Sequence, residues 1–100
     1  MVAQHILDSW FEEFNTVVFG EVLAPVPVRY DPYMDTDKAV GLCWGDRIML
    51  APGASLEATR RVLLHEMVHV WQAQNGHKMT HGKTFKEWKA RCYDLAGLRI

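Results

Sequence analysis

Hydrophobic residues along this chain change their period several times, and each change marks a new element. From about Val2 to Phe19, Ile6, Trp10, Phe14 and Val18 recur at i, i+4, i+8 and i+12, with Leu7 and Phe11 beside them and Gly20 following as a stop. That spacing predicts an amphipathic helix. Pro25 and Pro27 bar a helix next, and Val26, Val28 and Tyr30 alternate as a short strand does, at a sheet edge because proline cannot donate to a ladder. Asp31 to Asp37 is turn chemistry; its three aspartates lack the glycine and distal glutamate of a calcium loop, so a solvated loop is expected. Ala39 to Trp44 and Arg47 to Ala51 flank Gly45-Asp46, a two-residue hairpin signal. In that register Gly41, Cys43, Ile48 and Leu50 share one face, and Val40, Leu42, Trp44, Arg47, Met49 and Ala51 the other.

Pro52 and Gly53 end the hairpin, and Ser55 is placed to cap a helix that ends near Gly76. A last helix, from about Gly82 to Leu98, aligns Phe85, Trp88, Cys92 and Leu95 at i, i+3, i+7 and i+10. The order helix, three short antiparallel or mixed strands, helix, helix describes a small α+β fold. One hundred residues, 49% of them apolar, suit a single folded domain spanning residues 1–100. The start has no basic region followed by an apolar stretch, and no run approaches the roughly 18 apolar residues of a membrane span, so the chain reads as soluble and cytoplasmic. Cys43 and Cys92 lie far apart and fit no C-x-x-C pattern; both read as buried reduced thiols.

The helix after Ser55 holds the chemistry. Between Val62 and Trp71 the only polar residues are His65, Glu66 and His69, which spell H-E-x-x-H. His65 and His69 are one turn apart, about 400° at 100° per residue, so both imidazoles project from one face towards a single ion. That is a zinc-binding geometry. The surrounding residues are apolar almost all round, and burying two imidazoles and a carboxylate among them is expensive without partners. A cation with a water would satisfy all three. A catalytic zinc takes three protein ligands and keeps a position open. The metzincin spacing would put the third histidine six residues beyond His69, where this chain has Asn75, with Gly76 after it. The candidates are therefore His77 and His81.

With these residues in view, the chain resembles the SprT-like, or Spartan-like, metalloprotease family, whose domain pairs H-E-x-x-H on one helix with a histidine in an H-G-x-x-F or similar motif at the start of the next. The matching residues are His65-Glu66-Met67-Val68-His69, the following Val70-Trp71-Gln72, and His81-Gly82-Lys83-Thr84-Phe85. The element order fits as well, so the resemblance covers nearly the whole chain and implies a small zincin-like domain. It implies Zn2+ held by His65, His69 and His81, with Glu66 as the general base that takes a proton from water and returns it to the leaving amine. His77 then reads as a neighbour of the site or a surface residue, and His5 as a surface residue. Many members continue into a cysteine-rich zinc ribbon or into DNA- and partner-binding segments; with one cysteine after the motif, this sequence reads as a minimal catalytic domain.

A protein or peptide substrate is expected to lie extended along an exposed strand edge. Tyr33, Tyr93 and Arg91 are candidates, by residue type, for stabilising the oxyanion. Charge adds a second theme. Residues 1–59 carry three Lys or Arg against nine Asp or Glu, a net of −6, whereas residues 60–100 carry eight against three, a net of +5. Lys83, Lys86 and Lys89 form a ribbon on the last helix that suits weak, salt-dependent DNA contact, as in family members that cleave proteins on DNA. The alternative is a zinc-stabilised binding module without proteolysis, closed by His77 as a fourth ligand and binding nucleic acid through the basic helix. A monomer is expected, with no membrane partner.

Overall fold

A computed structural model of the chain describes residues 1–37 and 39–100; Lys38, counted above for its charge, lies outside them. Six elements occur along the chain: α1 (Gln4–Val17), β1 (Val28–Tyr30), β2 (Gly41–Cys43), β3 (Ile48–Leu50), α2 (Leu56–Gln74) and α3 (Lys83–Ala96). The result is an α+β fold in which α2 is the axis, packed against α1, α3 and the inner face of the sheet. Among the described residues, no helix is long and apolar enough to cross a membrane.

The strands form one mixed sheet in the order β1-β3-β2. β2 and β3 make the expected hairpin, with Gly41 opposite Leu50 and Cys43 opposite Ile48. Its turn closes with Trp44 N–H donating to Arg47 O at 3.1 Å, and Gly45 takes φ +88°, the left-handed conformation that such tight turns demand. β1 occupies an edge, as its prolines required, and runs parallel to β3 with Val28 opposite Ile48. Ile48 and Leu50 are buried on the inner face. On the outer face Val40, Leu42 and Trp44 are exposed, and Arg47 lies over the Trp44 ring, while Ala51 departs from its expected company and is fully buried.

α1 begins two residues later and ends two earlier than the periodicity suggested. No side chain caps Ala3. At the other end, the chain turns through Gly20 and Glu21, both at positive φ, with Glu21 N–H bonded to Asn15 O. The buried stripe is Leu7, Phe11, Phe14 and Val18, with Ile6 and Trp10 only half-buried beside it. The stripe is thus rotated from the expected centre, and Arg60 covers the flank, its guanidinium above Trp10 and Phe14 while Glu13 holds it at 3.0 and 3.1 Å.

α2 starts where Ser55 Oγ accepts from Ala58 N–H at 3.1 Å, and it stops at Asn75, before Gly76 at φ +74°. α3 buries Phe85, Trp88 and Cys92 and ends at Gly97 in the left-handed conformation. Leu95, expected in the same stripe, is exposed. Ten residues beyond Phe85, it has drifted about 80° around the helix, past the edge of the buried face.

The approach of β2 to α2 matters for the site. A Cβ on Gly41 would lie 2.5 Å from Val62 Cγ1 and 3.4 Å from Glu66 Cγ, so only glycine lets the edge strand sit this close to the H-E-x-x-H turn. At the far end of the hairpin, a Cβ on Gly45 would meet Ala73 at 3.1 Å, so β2 runs along α2 on both sides of His69.

Candidate metal centre

His65 and His69 stand one turn apart on α2 with ring centroids 5.2 Å apart, and His81 approaches from the loop before α3 to 5.1 and 5.0 Å from them. The Nε2 atom of His81 lies 3.2 Å from Nε2 of His65 and 3.2 Å from Nε2 of His69. The ligand atoms of the three residues fall within 4.8 Å of one another, close enough to hold one metal ion. Phe85, in the first turn of α3, packs against all three imidazoles at centroid distances of 4.8, 5.2 and 4.7 Å. One core side chain thereby fixes the rings and holds the apolar side of the cluster dry.

Gln72 is among the matching residues of the family resemblance but is given no role there. It is fully buried. Its Nε2 donates to Thr80 O and to Thr84 Oγ1, both at 2.9 Å, and its Oε1 lies 2.7 Å from His69 Nδ1. With the amide nitrogen committed to two acceptors, Oε1 must accept, so His69 Nδ1–H donates and its Nε2 turns a lone pair towards His81. The same amide ties α2 to the backbone of Thr80, next to His81, and to the first turn of α3. The only signal was position: Gln72 falls three residues after His69, on the same helix face.

Electrostatics agree with a site built for a cation. Burial, followed by the neighbouring imidazoles of His69 and His81 and then Lys89, pushes His65 down to about 4, and burial also lowers His69. Both are neutral bases at pH 7, the form that binds metal. Burial raises Glu66 to about 7, and its Oε2 is buried without a hydrogen-bond partner. Cys43, half-buried across from Glu66, is pushed up to about 11, mainly by burial, and Cys92 to about 12; both cysteines are free thiols.

The remaining candidates are dispersed. His77 lies flat on Trp71, with centroids 5.2 Å apart and planes 13° from parallel, outside the three-histidine cluster. His5 is exposed on α1. Tyr33 is 93% exposed in the loop before β2, and Arg91 stacks on Trp88, so neither belongs to the cleft at His65 and Glu66. Tyr93 lines a neighbouring cavity with Lys86, Lys89 and Arg99. Lys83, Lys86 and Lys89 are all exposed on α3. The residues that do flank the cleft, Arg61 and Arg99, entered the sequence reading only as members of the basic half.

No curated protein matches this chain. The sequence model of the SprT-like family matches residues 7–100, nearly its whole length and all of the elements that position the three histidines. The chain belongs to the SprT-like family.

Proposed function

We propose that this domain is a zinc metallopeptidase, with His65, His69 and His81 as ligands and Glu66 as general base. The observation that carries this reading is the meeting of three imidazole nitrogens beside a buried carboxylate oxygen that has no partner of its own. Ligands about 2.0–2.1 Å from a tetrahedral zinc are about 3.3–3.4 Å from one another. The two Nε2 separations of 3.2 Å fit that edge, and lone pairs at that distance repel unless a cation lies among them. The chemistry that zinc supplies in such a site is Lewis acidity, which brings the pKa of water down to about 7.

The protein's own groups do the rest. Glu66 follows His65 by one residue and so points about 100° away from it around the helix, beside the ligands rather than among them. Its Oε2 takes the proton from the attacking water, and the resulting acid returns it to the nitrogen of the leaving amine. Burial raises this carboxyl, and a cation held by the neighbouring histidines would draw it back down, so the carboxylate is the form that meets the water. β2 supplies the platform for the peptide. Val40 O accepts from Ala51 N–H and Trp44 N–H donates to Arg47 O, so the alternation of the ladder turns the N–H and C=O groups of Gly41 and Cys43 outwards along the free edge. A peptide extended there pairs through its backbone while its scissile bond lies against Glu66.

The reading as a zinc-closed binding module needs His77 as a fourth ligand, and the stack on Trp71 occupies that ring elsewhere. Substrates are proteins or peptides, and the exposed Lys83, Lys86 and Lys89 suit weak contact with DNA near which such proteins lie. The test is Glu66→Gln. Zinc content by mass spectrometry and the unfolding midpoint should match wild type, while hydrolysis of an unfolded protein substrate falls by about a thousandfold, within the range of about 10²–10⁴ that one general acid–base group contributes. Retained hydrolysis would remove Glu66 from its role, and an inactive wild type with bound zinc would favour the binding module.

A further inference from the structure

A cavity of about 270 Å³ opens beside His65 and Glu66. Its walls are aliphatic: Val40 at the start of the hairpin, Val62 on α2 and Ile100 from the segment after α3. Its charged members other than the site residues are two guanidinium groups, Arg61 and Arg99. Neither is tied down as Arg60 is. Arg60 is held at two points by Glu13, whereas Arg61 has only a contact at 3.6 Å with Glu57, whose carboxylate is 80% exposed. Arg99 lies over the Tyr93 ring at 5.0 Å and has no carboxylate partner among the described residues. The adjoining cavity, which shares Arg99 and Ile100, adds Lys86 and Lys89. Positive charge therefore rims the cleft on the α3 side, and among the described residues Glu66 is the one acidic side chain that lines it.

We propose that this pocket binds a carboxylate of the substrate peptide next to the cleaved bond, with Arg61 and Arg99 as the specificity-determining residues. The aliphatic walls accept the methylene stem of an acidic side chain, and a guanidinium pairs with its carboxylate by charge-assisted hydrogen bonds. A free C-terminus offers the same chemistry when it falls at this position. A nucleic-acid phosphate is the less suitable occupant: the aliphatic walls match a methylene stem rather than a sugar, and the one aromatic ring that lines the pocket, His65, is a candidate metal ligand rather than a surface for a base to stack on. The inference rests on the peptidase reading of the site and adds the class of substrate to it.

The experiment uses four labelled peptides that differ at one position: Glu, Gln or Leu with both ends blocked, and a shorter peptide whose free C-terminus falls there. Binding is read by fluorescence anisotropy on the zinc-loaded Glu66→Gln protein, and cleavage by kcat/KM on wild type. The Glu peptide should bind at least about tenfold more tightly than the Gln peptide, the scale of one charge-assisted hydrogen bond. Arg61→Gln and Arg99→Gln together should bring the two within about twofold, with zinc content and unfolding midpoint unchanged, and Arg99→Lys should keep part of the preference. Tight binding by the free C-terminus assigns the carboxylate to a chain end, and tight binding only by the Glu peptide assigns it to a side chain. Equal binding of Glu, Gln and Leu overturns the proposal, as does a preference that survives loss of both arginines. A single-stranded oligonucleotide that binds through these arginines when the Glu preference is absent overturns it in favour of phosphate. Preference without cleavage keeps the carboxylate site and ends the peptidase reading; cleavage without preference does the reverse.

Discussion

Two sides of α2 meet very different surroundings. Leu63, Leu64, Met67, Val68 and Val70 belong to one apolar cluster with Leu7 and Phe14 of α1 and with Ile48 and Leu50 of β3, all essentially without exposure. On the other side His65, Glu66 and His69 face His81, Gln72 and an open cleft. The first side has no polar atom left to satisfy, so its contribution follows from area removed from water and needs nothing from outside. The second holds converging lone pairs and an orphaned carboxylate oxygen, an arrangement that a cation would stabilise. One helix thus carries a self-sufficient face and a dependent one.

The sharpest way to break that comparison is to strip the metal. Saturating zinc at a thousandfold excess over its Kd should contribute about 4 kcal/mol, so chelation should lower the unfolding midpoint by roughly 15 °C or more for a domain of this size. An unchanged midpoint after verified metal removal would mean that the polar side satisfies itself. Phe14→Ala attacks the other face and should cost about 3–5 kcal/mol in urea denaturation. The informative part is that this loss should be equal with and without chelator; a loss seen only with metal bound would couple the two faces.

Gln72→Leu probes the link between them. The volume is nearly kept, but His69 loses its acceptor, and the loop bearing His81 and the first turn of α3 lose one hydrogen bond each. Zinc affinity, measured by competition with a chromophoric chelator, should fall about 10–100-fold. Wild-type affinity in that variant would show that Phe85 alone orients the rings. The smallest effect is expected for Lys83→Gln, Lys86→Gln and Lys89→Gln combined. Stability should stay within about 0.5 kcal/mol and zinc content should not move. Low-salt binding to DNA should disappear, and a wild type that binds no DNA even at low salt reduces the ribbon to a solvated face.

What the sequence discloses follows the same division. The apolar side is legible because periodicity is a local property: the hairpin register, the Ser55 cap and the Gly76 stop all appear where the pattern puts them. Errors there are small and have local causes, such as the rotated stripe of α1 and the drift that leaves Leu95 outside. The parallel pairing of β1 with β3 joins strands far apart in the chain, and alternation within Val26 to Tyr30 carries no trace of it. On the polar side, H-E-x-x-H is legible because one helical turn brings its histidines together. The choice between His77 and His81 needed a family resemblance, since a loop can aim either ring. The contacts of Gln72 and the cleft position of Arg99 stayed hidden because other segments supply them: Thr80 and Thr84 for the first, Val40 and Val62 for the second.

The reach of the Nε2 contacts along the chain has a consequence for how the molecule opens. His81 is separated from His69 by 12 positions and from His65 by 16. Closing such short loops costs little chain entropy, so α2, its following loop and the start of α3 suffice to gather the three imidazoles. The cleft beside them instead joins Val40 and Gly41 to Arg99 and Ile100, a much longer closure. On the proposed reading, fluctuations that lift the hairpin edge or the last residues away from α2 would dismantle the peptide platform while a bound ion stayed held. The centre and its cleft would then open as separate units, and a bound ion would outlast many cycles of substrate entry and product release.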